Sequence, residues 1–137
     1  MGKIWGQSRL LALCIASAAG VAAPVYALAT GGLEAFGHLE PGRWQIRDLD
    51  AGVDRQSLCL GDPILLAQLE HQGPPCAREI IDSGPNGGTV RYTCRGRGFG
   101  HSTIRIETPR LVKIHTQGIN DASPFDFRAE ARRVGDC

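Results

Sequence analysis

The chain lacks an excess of either charge, with 15 lysine and arginine residues against 14 aspartate and glutamate. A balance of +1 gives bulk electrostatics no means of favouring a nucleic-acid partner. It also lacks length: 137 residues make one domain, too few for a scaffold such as a TIM barrel. No CxxC or HxxxH spacing is present, which removes the usual zinc and dithiol redox signatures. No GxSxG places Ser57 or Ser102 on a nucleophile elbow, and no phosphate-binding glycine loop occurs. Nothing signals a pair of glycosidase carboxylates. The 18 glycines follow no collagen-like period, and 21% charged residues is ordinary for a globular domain. These absences assign no catalytic, metal or cofactor-binding residue and imply no cofactor. The expectation is a protein that is not an enzyme.

What is present begins with a secretory signal. Lys3 and Arg9 form a short basic region, an apolar run extends from Leu10 to Ala23, and Ala27-x-Ala29 supplies small residues for cleavage after Ala29. The uncharged stretch to Ala29 is long enough to span a membrane, but Pro24 and the small-residue exit favour removal. Cys14 does not make a lipoprotein site, because Leu13 precedes it and apolar sequence continues beyond. Loss of residues 1–29 takes Lys3, Arg9 and Cys14 with it. The exported domain becomes slightly acidic, its cations are arginines apart from Lys113, and four cysteines remain.

Cys59, Cys76, Cys94 and Cys137 are an even set in a small exported domain, and so read as two disulfides. Of three pairings, Cys59–Cys76 with Cys94–Cys137 is favoured because sequential pairing closes loops without crossing. Loop entropy would give these about 3 and about 4 kcal/mol.

Residues 30–40 carry three glycines and little periodicity, so they are expected to be a flexible lead-in to a single β-rich domain over 41–137. Beyond Pro41-Gly42 the apolar period is two. Trp44 and Ile46, Val90 to Cys94, Ile104 and Ile106, Val112 and Ile114, and Phe125 to Ala131 each alternate with polar residues. The fold class is mainly β, a curved antiparallel meander of about six or seven strands braced by disulfides. Gly84 to Gly88 makes a hairpin connection, and Thr108-Pro109-Arg110 and Gly118 to Pro124 make further breaks. Asp62 as N-cap and Pro63 at the first position predict one short helix, its leucines packed on the sheet edge. Gly96, Gly98 and Gly100 mark a bend.

The alternation puts Arg43, Arg47, Arg91, Arg95, Arg105, Arg128 and Arg132 on the wet face. Aligned, they would suit an anionic partner; paired with Asp48, Glu107, Asp126 and Glu130 they are a solvated face. His101 and His115 could meet across neighbouring strands, without a third metal ligand at diagnostic spacing. Arg97-Gly98-Phe99-Gly100 matches the opening of an RNA-binding strand motif, but the following His101-Ser102-Thr103 does not continue it. Trp44, Tyr92, Arg91, Arg95 and Arg105 are the candidate ligand or partner contacts.

Leu39-x-Pro41-Gly42-x-Trp44, Cys59-Leu60, Cys76, Tyr92-x-Cys94-x-Gly96 and the ending Arg133-x-Gly135-Asp136-Cys137 together resemble the bacterial exported family called domain of unknown function 3617. The resemblance covers residues 39–137 and implies an exported, disulfide-bonded β-rich protein with no assigned activity. Gln45 stands where that family often has an acidic residue. Gly42-x-Trp44 is also similar to the lipocalin opening, whose tryptophan closes one end of a ligand cavity. The exported length is short for an eight-stranded barrel plus a helix, so Trp44 is assigned chiefly to core packing and cavity lining is the lesser reading. The expected function is a non-enzymatic binding or structural domain, periplasmic or secreted, with an unidentified protein or small-molecule partner. It is expected to be monomeric, with no membrane span after cleavage. The alternatives are a small apolar-ligand carrier and an inhibitor of a hydrolase that wedges in the loop Gly73–Pro75.

Overall fold

The structure is a computed structural model that describes Gly2 and residues 33–137. The expected signal segment, its expected cleavage site and Cys14 lie outside the described residues. Seven strands form one antiparallel sheet: β1 (Gly42–Asp48), β2 (Val53–Leu60), β3 (Ala77–Gly84), β4 (Gly87–Cys94), β5 (Gly98–Thr108), β6 (Leu111–Asn120) and β7 (Ser123–Gly135). The order across the sheet is β2-β1-β7-β6-β5-β4-β3. Strands β3 to β7 are the expected meander, and the β1–β2 hairpin joins its far side through β1–β7 pairing.

Every neighbour is antiparallel and the strand number is odd, so the two edge strands, β2 and β3, run parallel to one another. Parallel strands need a crossover rather than a hairpin. The segment between them supplies it, returning from one end of the sheet to the other as a 3₁₀-helix, Pro63–Gln68. The Asp62 carboxylate accepts from the Ile64 amide at 3.0 Å, and Pro63 sits in the first turn, as the sequence predicted. This helix does not pack on the sheet edge. It lies across the inner face of β5 and β6, because only there can Ile64, Leu66, Ala67 and Leu69 all be buried.

The same segment shows that the sheet curls. Ser102 on β5 donates to the Ala67 carbonyl at 2.6 Å, and Gln56 on β2 donates to the Leu69 carbonyl at 3.3 Å. Those strands are four places apart, about 19 Å in a flat sheet. Two residues of chain cover at most about 7 Å. The sheet therefore wraps round the crossover, and the concave face is filled.

Its core contains Trp44, Ile46, Val90, Ile104, Val112, Ile114, Phe127, Ala129 and Ala131 from the strands. The residues before β1 contribute as well. Where a flexible lead-in was expected, Glu34–His38 forms a second 3₁₀ turn against β3 and β4, with Leu33, Phe36 and Leu39 buried. Three glycines masked an apolar triplet that needs cover. The Gly118 to Pro124 break is also shorter than expected: Gly118 is inside β6, Pro124 is inside β7, and only Asp121-Ala122 turns. Both have positive φ, 47° and 68°, the geometry of a two-residue hairpin.

The cysteines pair as Cys59–Cys137 and Cys76–Cys94, not sequentially. Nested pairing also avoids crossing, and the register selects it. Arg43 lies opposite both Cys59 and Gly135, so the chain leaving β7 ends beside β2. It passes over Gly42 (φ 138°), where a Cβ would collide with the Gly135 carbonyl and the Arg133 guanidinium. Ala77 pairs with Thr93, which sets Cys76 and Cys94 at the next ladder position, with Cα atoms 4.8 Å apart. Two disulfides are chemistry of an oxidising, extracytoplasmic environment. Among the described residues no helix is long and apolar enough to cross a membrane.

Candidate functional site

Beneath one end of the sheet the interior turns polar. Gln68, His71, Ser102 and Thr116 are buried there beside Tyr92, which is 2% exposed. His71 Nε2 is 3.4 Å from the Arg97 carbonyl, which can only accept, so Nε2 donates to it. Nδ1 lies 3.3 Å from the Tyr92 hydroxyl, in hydrogen-bond contact with it. Burial pushes the Tyr92 phenol up to about 12. Since Ser102 gives its proton to Ala67, Thr116 donates to Ser102 at 2.7 Å. Each polar side chain thus has a partner, the condition for burying it cheaply.

Two glycines make room for the cluster. Tyr92 lies opposite Gly100, and Gly100 lies opposite Gly118. A Cβ at Gly100 would overlap the Tyr92 ring, and one at Gly118 would collide with the Phe99 carbonyl and the Gly100 Cα of the neighbouring strand before the Phe125 ring. His71 meets both rings edge-on, at 5.4 and 5.9 Å between centroids.

Above the cluster, three chain segments form a rim. The loop Gln72–Pro75 is exposed but held from inside: Gln68 donates to the carbonyls of His71 and Pro74 and accepts from the Cys76 amide. Arg97, in the β4–β5 hairpin, donates to the Gln72 carbonyl at 2.7 Å, and Cys76–Cys94 joins loop to hairpin covalently. The Asp121 amide, in the β6–β7 turn, donates to the Arg97 carbonyl at 2.8 Å.

The five candidate contacts do not converge. Trp44 is fully buried, its indole N–H bonded to the Glu40 carbonyl, and Tyr92 faces His71, so neither can touch a partner. Both sit at inward positions of the period-two pattern, inside the packed interior. Arg91, Arg95 and Arg105 are exposed but separate: Arg91 lies opposite His101, Arg105 opposite Lys113, and Arg95 beyond the end of β4.

All seven arginines of the outer face are exposed as expected, but most are paired. Arg47 meets Asp54, Arg91 meets Glu79, Arg105 meets Glu107, Arg128 meets Asp50 and Arg132 meets Glu130. Arg43 and Arg95 have no ion-pair partner among the described residues. The side-chain hydrogen bond from Arg128 and its backbone amide hold the Asp50 carboxyl below the usual range. Asp48 does not join this face; it points inward, receives two amides of the β1–β2 turn, and meets Arg55. Arg55 also meets Glu70 and covers the Phe127 ring at 3.9 Å.

His115 lies opposite Thr103, and His101 opposite Gln117, so the two histidines are diagonal rather than facing. His115 bonds Asp126 at 2.8 Å instead. No group of three or more histidine, cysteine or carboxylate side chains could hold a metal among the described residues. No family model, curated protein or solved structure matches the chain. The residue that sequence reasoning passed over is His71, which has no local motif. Its signal is indirect: Gly98, Gly100 and Gly118 in strands, where glycine marks a close approach by something bulky.

Proposed function

We propose that the chain is an exported, non-enzymatic binding domain, periplasmic or secreted, that works from its outer surface and its rim. The observation that carries this is the filled concave face. The place where a barrel-type carrier would keep its ligand is occupied by Leu66, Ala67 and the other core residues of the crossover, packed with Trp44. The two disulfides support export. The motif order along residues 39–137 supports membership of the domain of unknown function 3617 family, which is part of the same proposal.

Trp44 is the single tryptophan outside the signal segment, so fatty acid titration of its fluorescence tests the reading directly. A flat titration is expected. A saturable change would replace the proposal with an apolar-ligand carrier.

A second reading, a hydrolase inhibitor, is favoured by one feature. The loop Gln72–Pro75 is exposed yet braced by Gln68, Arg97 and Cys76–Cys94, which lowers the entropy lost on docking. Stoichiometric loss of activity when a purified envelope protease is titrated would support it. Unchanged protease activity at excess protein would remove it.

A further inference from the structure

The outer face is charged along most of its length but changes character at the rim. The register sets Thr93, Phe99, Ile119 and Pro124 side by side on β4, β5, β6 and β7. None carries a charge, and Phe99 is 52% exposed. Two residues further along the same strands the row reads Arg91, His101, Gln117 and Asp126, so the uncharged strip ends abruptly. On its other side lie Arg95, Arg97 and the turn Asp121-Ala122, around a shallow depression of about 540 Å³. Arg95 and Arg97 have no carboxylate within ion-pair distance among the described residues. Asp121 is the one acidic residue lining the depression, and the adjoining loop Gln72–Pro75 is uncharged.

We propose that this rim docks the domain on an anionic lipid surface, with Phe99 entering the headgroup–acyl boundary and Arg95 and Arg97 meeting the headgroup phosphates. The assignment rests on the outer surface being the working face. Three observations favour a bilayer over a protein. The strip is a few residues wide, whereas a stable protein interface uses about 20–30 on each side. It lies on the convex face of a curled sheet, and a fluid bilayer requires no shape complementarity. Its aromatic anchor stands beside cations of one sign, the arrangement in which interfacial residues act together. The rim is also rigid, because Cys76–Cys94, the Arg97–Gln72 bond and the Asp121–Arg97 bond join its segments. Little ordering would therefore accompany docking.

The test is flotation of the oxidised protein with vesicles of phosphatidylcholine alone, or with about one third phosphatidylglycerol. Binding is expected to the anionic vesicles only, and to weaken when salt rises from about 50 to about 300 mM. Phe99→Asp and Arg95→Glu should each weaken it by about tenfold or more. Arg105→Glu, on the outer face away from the rim, should leave it unchanged. All three sites are exposed, so folding survives the changes, and retained disulfides verify it. No flotation, equal flotation with neutral vesicles, or equal loss in all three variants would overturn the proposal. The Trp44 fluorescence titration separates the two levels: flat fluorescence without flotation removes the lipid assignment alone, whereas saturable fluorescence removes the surface-binding reading beneath it.

Discussion

Replacing Gly100 by alanine adds one methyl group at a place where the Tyr92 ring already stands. Tyr92 has no free space to move into, being 2% exposed. Overpacking a filled interior costs about 1–3 kcal/mol. Displacing the ring also breaks its hydrogen bond with His71, worth about 1–1.5 kcal/mol when both groups are buried. The sum is about 2–4 kcal/mol, which lowers the urea midpoint of the oxidised protein by more than about 1 M. Cost alone would not identify the ring as the cause, so the same change belongs in a Tyr92→Val background. With the ring gone, alanine in a strand restricts the unfolded chain more than glycine does. It should then be neutral or stabilising by up to about 1 kcal/mol. The sign of the Gly100→Ala effect should thus reverse between backgrounds. An equal cost in both, or a cost below about 0.5 kcal/mol in the parent, would refute the steric account.

Other outcomes follow from the same geometry. Ala122 holds a φ of 68°, so Ala122→Gly should stabilise by about 1 kcal/mol, read as a rise in melting temperature. Tyr92 is the single tyrosine among the described residues, so its ionisation can be followed by ultraviolet absorbance in a protein beginning at residue 30 and should centre near pH 12. Its raised value means that its contribution to stability is intact below about pH 10 and disappears as pH rises towards 12. The Asp50 carboxyl should titrate below the ordinary aspartate range by NMR and return towards it in Arg128→Ala. Because its folded value is depressed, the stability it adds is present above the usual carboxylate range and lost as pH falls through the folded value. On the loop-entropy model, serine replacement of Cys59 and Cys137 should cost about 4.5 kcal/mol, and of Cys76 and Cys94 about 3 kcal/mol. The sequence separations of 78 and 18 set that order, and denaturant midpoints measure it.

What was legible in the residues was local. Alternation along β4 to β7 identified those strands and their wet face, because a sheet with one buried side imposes period two wherever the chain lies. Asp62 and Pro63 announced a helical start for reasons internal to three residues. What was not legible depended on distant contacts. The disulfide pairing follows from β1 lying between β2 and β7, and no property of the sequence near Cys59 reports that Gly135 will lie nearby. The crossover could be recognised as helical but not as interior, since its position follows from the parity of the strands. For two of the candidate contacts the period itself was the guide, since the inward phase of Trp44 on β1 and of Tyr92 on β4 assigns them to the core. His71 became visible only when three strand glycines were seen to surround it and its neighbours.

The pairing of β1 with β7 has a consequence for how the molecule comes into being. Among the described residues β1 is the earliest strand and its inner neighbour β7 the latest, so this sheet cannot assemble in the order in which it is made. The first hairpin has to wait, its apolar side uncovered, until the far end of the sequence arrives, and the Cys59–Cys137 bond cannot precede that meeting. Such long-range closure makes folding slow. The Cys59–Cys137 bond is therefore made late, once β7 has closed on β1.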